Sequence, residues 1–212
     1  MSKLTWDDQG ERFFEMGVDR GVLYVDSDPG VAWMGLISVT ENVTGGEPRP
    51  YYLDGEKYLN LLTAEEFEAT IETLSVPEEF GVCDGAVSIH NGLYATQQPR
   101  KSFGLCYRTR VGNDVAGSDY AYKLHLVYNA LASPTQRSYA SIGGSPEPTK
   151  LSWALSTKPP GITGFRPTAH LVIDSRSSDP GVLSDVEDLL YGTVSTDPSL
   201  PTPDELIAIF AP

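Results

Sequence analysis

The chain has 212 residues, of which 40% are hydrophobic and 21% are charged, and its formal net charge is −14. This apolar content is sufficient for a folded core, and the charge content is too low for a disordered polyampholyte. The acidic balance argues against binding to nucleic-acid phosphates or to anionic lipid, because both need a basic protein face. The 20 glycines and 16 prolines favour a chain of many strands and turns.

The N-terminal part of the chain predicts an arm followed by a hairpin and a loop. Residues 1–16 show no hydrophobic period and are predicted to form an N-terminal arm. Apolar runs at 21–25 and 31–40 flank a turn sequence and predict a β-hairpin. Residues 41–50 have the composition of a long flexible loop. Asp54-Gly55 then predicts a tight turn between two short strands.

The next predicted strand, at 67–76, has one apolar and one acidic face. Its apolar positions alternate with polar positions that include Glu66, Glu68 and Glu72. A capping-box pattern at the start of this segment also allows a helix, but its β-branched residues and Pro77 favour a strand.

The middle of the chain predicts a loop-rich connection and then a long hairpin. Residues 77–99 carry one candidate strand, at 87–89. Strands near 102–111 and 120–129 alternate with period 2 and flank a turn rich in glycine, asparagine and aspartate. Further strands are predicted at 138–142, 150–157 and 169–174, with a turn at 143–146.

The C-terminal part predicts one helix and a tail. The helix is predicted at 180–191, because Ser178 or Asp179 can cap it, Pro180 suits its first position and Gly192 follows its last. Its apolar stripe is expected to consist of Val182, Val186, Leu189 and Leu190. Residues 193–212 are predicted to form a tail with one apolar anchor. No repeat or linker is evident, so 1–212 is interpreted as a single domain.

The sequence contains no recognisable catalytic or cofactor motif. Glycine-rich phosphate loops and a nucleophile elbow are absent. The three histidines are scattered, and the 113–119 turn lacks the spacing and closing glutamate of a calcium loop, so no metal site is predicted. Cys83 and Cys106 are expected to be reduced thiols, with a disulfide left open. Neither a signal peptide nor a membrane-spanning segment is predicted.

Several motifs in order along the chain carry a family resemblance. They are YYLDGEKYLN at 51–60, AEEFEATIETLSVPEEF at 64–80, RKSFGLCYRTRVGND at 100–114, YKLHLVYNAL at 122–131 and SPEPTKLSWALSTKP at 145–159. Together they resemble the major tail protein, or tail tube subunit, of long-tailed, non-contractile bacteriophages. The resemblance covers roughly residues 51–175.

The resemblance implies a fold, a function and partners. The implied fold is mainly β, a β-sandwich or partial barrel with one flanking helix and long loops. The implied function is structural and not enzymatic. Copies of the chain form hexameric rings, and the rings stack into the virion tail tube through which DNA passes without specific binding. The implied partners are the tape measure, tail terminator and distal tail proteins, with assembly in the host bacterial cytoplasm and no cofactor or membrane contact.

Within this interpretation, Glu66, Glu68 and Glu72 are candidate lumen-facing residues. A carboxylate-lined wall would repel DNA and keep it mobile. The opposing interpretation pairs these glutamates with Arg108, Arg110 and Lys123 on neighbouring strands. The acidity also has a simpler explanation, the solubility of an abundant protein. The alternative function is a monomeric β-sandwich that binds carbohydrate or a receptor at the tail tip, and an enzyme is a more distant alternative.

Overall fold

The structure is a computed structural model that describes residues 3–142, 144 and 147–211. Strands dominate it, in this order: β1 (Phe13–Val25), β2 (Val31–Trp33), β3 (Leu36–Gly45), β4 (Pro48–Leu53), β5 (Glu56–Leu62), β6 (Glu65–Thr73), β7 (Val87–His90), β8 (Leu93–Ala95), β9 (Phe103–Asn113), β10 (Gly117–Pro134), β11 (Leu151–Thr157) and β12 (His170–Asp174). The helices are α1 (Gly81–Asp84), α2 (Pro180–Tyr191) and α3 (Pro203–Phe210), and a 3-10 turn spans Glu78–Phe80.

Eight strands form one antiparallel sheet that curls into a partial barrel. The strand order is β2-β1-β9-β10-β11-β6-β3, and β12 pairs with β10. The two end strands, β2 and β3, are joined by only Met34-Gly35, so the ends of the sheet lie near each other. Gly21 on β1 closes the gap, because a Cβ there would lie 3.3 Å from the Leu36 side chain. The expected mainly β class, a sandwich or partial barrel with a flanking helix, is confirmed.

The first hydrophobic core fills the inside of the curled sheet. Phe80 lies at its centre, with ring centroids 4.8 Å from Trp33, 4.9 Å from Trp153 and 5.4 Å from Phe103. The 3-10 turn and α1 carry Phe80 and Cys83 into this interior. The predicted loop-rich connection at 77–99 therefore contains the 3-10 turn and α1, which we call the core plug, as well as the short strand at Val87–His90.

A second core lies on the outer face of the sheet, under α2 and α3. Leu124 and Leu126 of β10 and Cys106 of β9 pack against the helices there. Because β9 and β10 are covered on both faces, most of their residues from Phe103 to Tyr107 and from Leu124 to Tyr128 are buried. The two cysteines are free and belong to different cores, so the sheet separates them.

Helix α2 begins and ends where the sequence predicts, but its buried stripe differs. The Asp179 carboxylate caps it by accepting from the backbone N–H of Gly181 at 2.8 Å. The buried residues are Leu183, Val186 and Leu190. The predicted stripe members Val182 and Leu189 are only half-buried, so the helix is rotated relative to the prediction.

Leu190→Ala is expected to lower the free energy of unfolding by about 2–5 kcal/mol, because Leu190 is fully buried and would leave a cavity. Leu189→Ala is the matched control and should cost clearly less, since Leu189 is half-buried on the same helix. Urea denaturation of both variants measures the difference. Equal losses for the two variants would contradict the observed orientation of α2.

The structure differs from the sequence prediction in four further segments. The predicted tail contains α3, which a capping box starts: Thr202 N–H donates to Glu205 Oε2 at 2.8 Å, and Glu205 N–H donates to Thr202 Oγ1 at 3.3 Å. The predicted strand at 138–142 is irregular chain, and most of the predicted turn at 143–146 lies outside the described residues. The predicted loop at 41–50 is largely strand, and β1 begins inside the predicted arm.

Candidate assembly surfaces

The β3–β6 hairpin continues beyond the sheet as a projecting arm, which we define as residues 48–62 (β4, β5 and their turn). Gly45 lies where the arm leaves the sheet, with φ +87°, and a Cβ there would lie 2.1 Å from the Ala64 carbonyl oxygen. Only glycine fits this close approach. Beyond it, every residue of β4 and β5 is exposed, and among the described residues these strands pair only with each other.

The arm is unusually apolar for an exposed hairpin. The register places Tyr51 opposite Leu59, and Leu53 and Leu61 lie on the same face. We call these four residues the arm stripe. Seven large apolar or aromatic residues of the arm have exposed fractions of 37–69%: Tyr51, Tyr52, Leu53, Tyr58, Leu59, Leu61 and Leu62. An isolated two-stranded hairpin is marginally stable, and exposed apolar patches mark interaction sites, so the arm is a candidate interaction surface.

The outer edge of β4, the edge that faces away from β5, lacks two backbone N–H donors. Pro48 and Pro50 occupy alternate positions of this strand, opposite Leu62 and Asn60. Alternate residues of a strand direct their backbone nitrogens to the same side, so both prolines remove an N–H from one edge.

An apolar groove lies between β12 and α3. Its volume is about 690 Å³, and its walls include Ile162, Phe165, Leu171, Val172, Leu206, Ile207 and Phe210. Among the described residues, β12 pairs only with β10, so its outer edge is open beside this groove. The groove is a second surface suited to an apolar partner.

The candidate lumen residues Glu66, Glu68 and Glu72 lie on the face of β6 that points away from the core. The residues that alternate with them, Phe67, Ala69, Ile71 and Thr73, are buried, as the sequence predicts. Cross-strand neighbours on the glutamate side are Ser38, Thr40, Asn42 and Thr44 of β3 and Ser152 and Ser156 of β11. Strands β3, β6 and β11 contain no lysine or arginine. We call this surface the hydroxyl–glutamate face.

The predicted pairing of these glutamates with basic residues is wrong. Strand β6 lies between β11 and β3 and does not neighbour β9 or β10. Arg108 instead makes a two-pronged contact with Asp19 of β1, at 2.6 and 2.8 Å, and Arg110 contacts the same carboxylate. Lys123 pairs with Glu15.

A polar cluster occupies one end of the barrel interior, where the sequence predicts no site. His125 of β10 is buried, and its Nδ1 lies 3.2 Å from His170 Nε2 and 3.3 Å from Glu41 Oε1. Tyr107 donates a hydrogen bond to Glu41 Oε1 at 2.6 Å. Burial lowers the pKa of His170 to about 4. The two histidines are 45 residues apart, so spacing along the chain does not reveal the cluster.

Comparison with known proteins leaves the family of this chain open. No protein-family model matches it, and no curated protein matches it. One solved structure that is similar is the cryo-EM structure of the anti-feeding prophage baseplate, 6-fold symmetrised. That match has a TM-score of 0.37 and 12% identity and covers 80% of this chain and 97% of that chain. A similarity this distant carries no argument about function.

Among the described helices, none combines the length and the apolar character that a membrane crossing requires. The longest of them, α2, has 12 residues.

Proposed function

We propose that this protein is the tail tube subunit of a long-tailed, non-contractile bacteriophage, with residues 1–212 acting as one tube domain. The main observation that supports this proposal is the projecting arm. The arm contains the motif YYLDGEKYLN, one of those on which the family resemblance depends. The same segment has no partner within the described subunit and presents the arm stripe to solvent. A segment of this kind is stable when another subunit covers it.

The remaining family-like motifs form the scaffold that presents the arm. RKSFGLCYRTRVGND and YKLHLVYNAL form most of the β9–β10 hairpin at the centre of the sheet. AEEFEATIETLSVPEEF forms β6 and the 3-10 turn that carries Phe80. The family-like motifs therefore lie both in the eight-stranded sheet and in the exposed arm, the two parts that the proposed assembly uses.

In the proposed assembly, the contact between copies is head-to-tail. A heterologous contact of this kind closes into a ring when the rotation between copies is right. Edge strands that would otherwise risk aggregation are joined between subunits of a closed barrel. The arm and the groove between β12 and α3 are two different apolar surfaces of one chain, as a heterologous contact requires. Six copies per ring follow the family resemblance.

The hydroxyl–glutamate face is proposed to line the lumen. Its glutamates contribute −3 per copy, and six copies would contribute six times −3, or −18, per ring. Because β3, β6 and β11 contain no basic residue, this face offers no cation to bind a phosphate. DNA would then pass without specific binding, and the tape measure, tail terminator and distal tail proteins would be the other partners.

The test is the assembly state of the purified chain. We expect monomers or loose oligomers at low concentration, and rings or tubes when the protein is concentrated or supplied with a tail-tip initiator complex. Analytical ultracentrifugation followed by negative-stain microscopy measures both states. A chain that stays monomeric at millimolar concentration with the initiator present would favour the alternative, a monomeric binding module.

The alternative, a monomeric module that binds carbohydrate or a receptor, depends on where the aromatic rings lie. Six of the eleven tyrosines are exposed: Tyr51, Tyr52, Tyr58, Tyr94, Tyr120 and Tyr139. The first three lie on the projecting arm. A carbohydrate site needs aromatic rings in a concave surface, whereas these three lie on a two-stranded hairpin whose residues are all exposed.

A further inference from the structure

The polar cluster inside the barrel brings together three strands that do not all pair with one another. Glu41 lies on β3, His125 on β10 and His170 at the start of β12. One side-chain ligand atom from each residue lies within 4.8 Å of the other two. Two aromatic rings hold the imidazoles in place: Tyr107 stacks on His125 at 4.7 Å, and Phe67 stacks on His170 at 4.4 Å.

The hydrogen bonds around His125 determine which nitrogen carries its proton. Thr109 Oγ1 donates its single proton to Glu15 Oε1, because a carboxylate can only accept. The contact of 3.0 Å between Thr109 Oγ1 and His125 Nε2 must then be donated by the imidazole N–H. In a neutral ring, Nδ1 of His125 is left with its lone pair, which faces Glu41 and His170.

When the His125 ring is neutral, this arrangement leaves electron pairs converging without a cation between them. The lone pair of His125 Nδ1 faces Glu41 Oε1, which is also an acceptor, at 3.3 Å. A proton on His170 Nε2 would satisfy the 3.2 Å contact between the two imidazoles. It would still leave the Glu41 oxygen facing the lone pair of Nδ1 at 3.3 Å, a contact between two acceptors.

Two of the three separations match those between ligands of a tetrahedral metal ion, and the third, between His170 and Glu41, is 3.9 Å at its shortest, from Nδ1 to Oε2. Bonds of 2.0–2.1 Å place neighbouring tetrahedral ligands about 3.3–3.4 Å apart. The observed contacts of His125 Nδ1 are 3.2 Å to His170 and 3.3 Å to Glu41. Two imidazoles and a carboxylate form a ligand set that divalent zinc-class ions accept, with a fourth position open.

The groups around these ligands also fit a metal site. Metal-bound histidines usually donate their other N–H to a fixed acceptor, and Thr109 has this role toward His125. Ligating carboxylates are usually hydrogen-bonded themselves, and Tyr107 donates to Glu41 at 2.6 Å. We propose that Glu41, His125 and His170 bind a divalent transition-metal ion of the zinc class. Because β3 leads into the arm, such an ion would fasten the base of the arm to β10 and β12.

The experiment uses the purified full chain at a concentration where it does not assemble. Isothermal titration with Zn²⁺ and visible spectra with Co²⁺ are expected to show one ion per chain and a tetrahedral cobalt spectrum. At 100 times the dissociation constant, Zn²⁺ should raise the melting temperature by about 5–11 °C. Neither readout requires rings or tubes, so the metal-site proposal is tested separately from the proposed function.

Variants connect the binding to these residues. Glu41→Gln and His170→Gln should each weaken Zn²⁺ binding about 100-fold or more, and Thr109→Val about 10–100-fold. His90→Gln is the control, because His90 is exposed on β7 and should leave binding unchanged. Glu41 lies at the rim of the cluster, so Glu41→Gln tests the site even if the histidine variants fail to fold.

Two results would overturn the proposal. One is the absence of titration heat and of a cobalt spectrum at millimolar metal, in which case a shared proton occupies the cluster. The other is binding that survives Glu41→Gln and disappears in His90→Gln, which would place the ion on the surface.

Discussion

Replacing both Leu59 and Leu61 with aspartate is expected to leave the chain folded and monomeric and to abolish rings and tubes. Both leucines belong to the arm stripe, and neither contributes to either hydrophobic core. Covering one leucine with a partner is worth about 1.5–3 kcal/mol, so losing two should weaken each contact between copies by about 10²–10⁴-fold. Placing carboxylates in a covered apolar contact adds a desolvation cost.

The measurements are analytical ultracentrifugation and negative-stain microscopy, with circular dichroism to check the fold. The control is Lys57→Asn combined with Asn60→Asp, which also changes the net charge by −2. Lys57 and Asn60 lie opposite Tyr52 and Pro50, on the other face of the arm. Normal tubes from the double leucine variant would show that the arm stripe does not join the subunits.

Replacing Glu68 and Glu72 with lysine is expected to leave the tube intact and to slow the release of DNA from the virion. Both side chains are half-buried on the hydroxyl–glutamate face, outside the core. The change adds +4 per copy and converts the −3 of the three glutamates on this face to +1. A basic wall would bind phosphates, and the binding would release counterions and so depend on salt.

Release kinetics from assembled virions, followed with a DNA-binding dye, measure this effect. Raising the salt should restore part of the rate, because the Debye length falls from about 10 Å at 0.1 M to about 3 Å at 1 M. Glu78→Lys with Glu79→Lys is the control, since these exposed residues make the same charge change in the 3-10 turn. Release at the normal rate from tubes that carry both lumen changes would refute the assignment of this face.

Local signals in the sequence predicted much of the fold. The alternation of β6, the β9–β10 hairpin and the boundaries of α2 depend on neighbouring residues, and all three predictions are confirmed. Helix α3 was missed although Thr202 and Glu205 form a capping box that could have revealed it. The prolines around it obscured that signal.

The long-range arrangement could not be predicted in this way. Strand β6 is followed in the chain by β7, yet its sheet neighbours are β11 and β3, so the charge pairs inferred from sequence order were wrong. The cluster of Glu41, His125 and His170 likewise depends on how the sheet curls. The arm was predicted as an ordinary hairpin, because alternation in a strand does not show whether a partner covers it.

The two prolines of β4 also limit the ways in which the exposed arm can form fibres. A free strand edge can template the addition of further strands, and stacking of this kind gives amyloid-like material. Pro48 and Pro50 deny backbone donors to the outer edge of β4, so a second arm cannot extend the hairpin from that side by main-chain bonding. On that side, a partner has to be recognised through side chains. Side-chain shape discriminates between partners, whereas backbone hydrogen bonds do not. In the proposed assembly, the arm can therefore contact another subunit through its side chains while the outer edge of β4 is closed to cross-β growth.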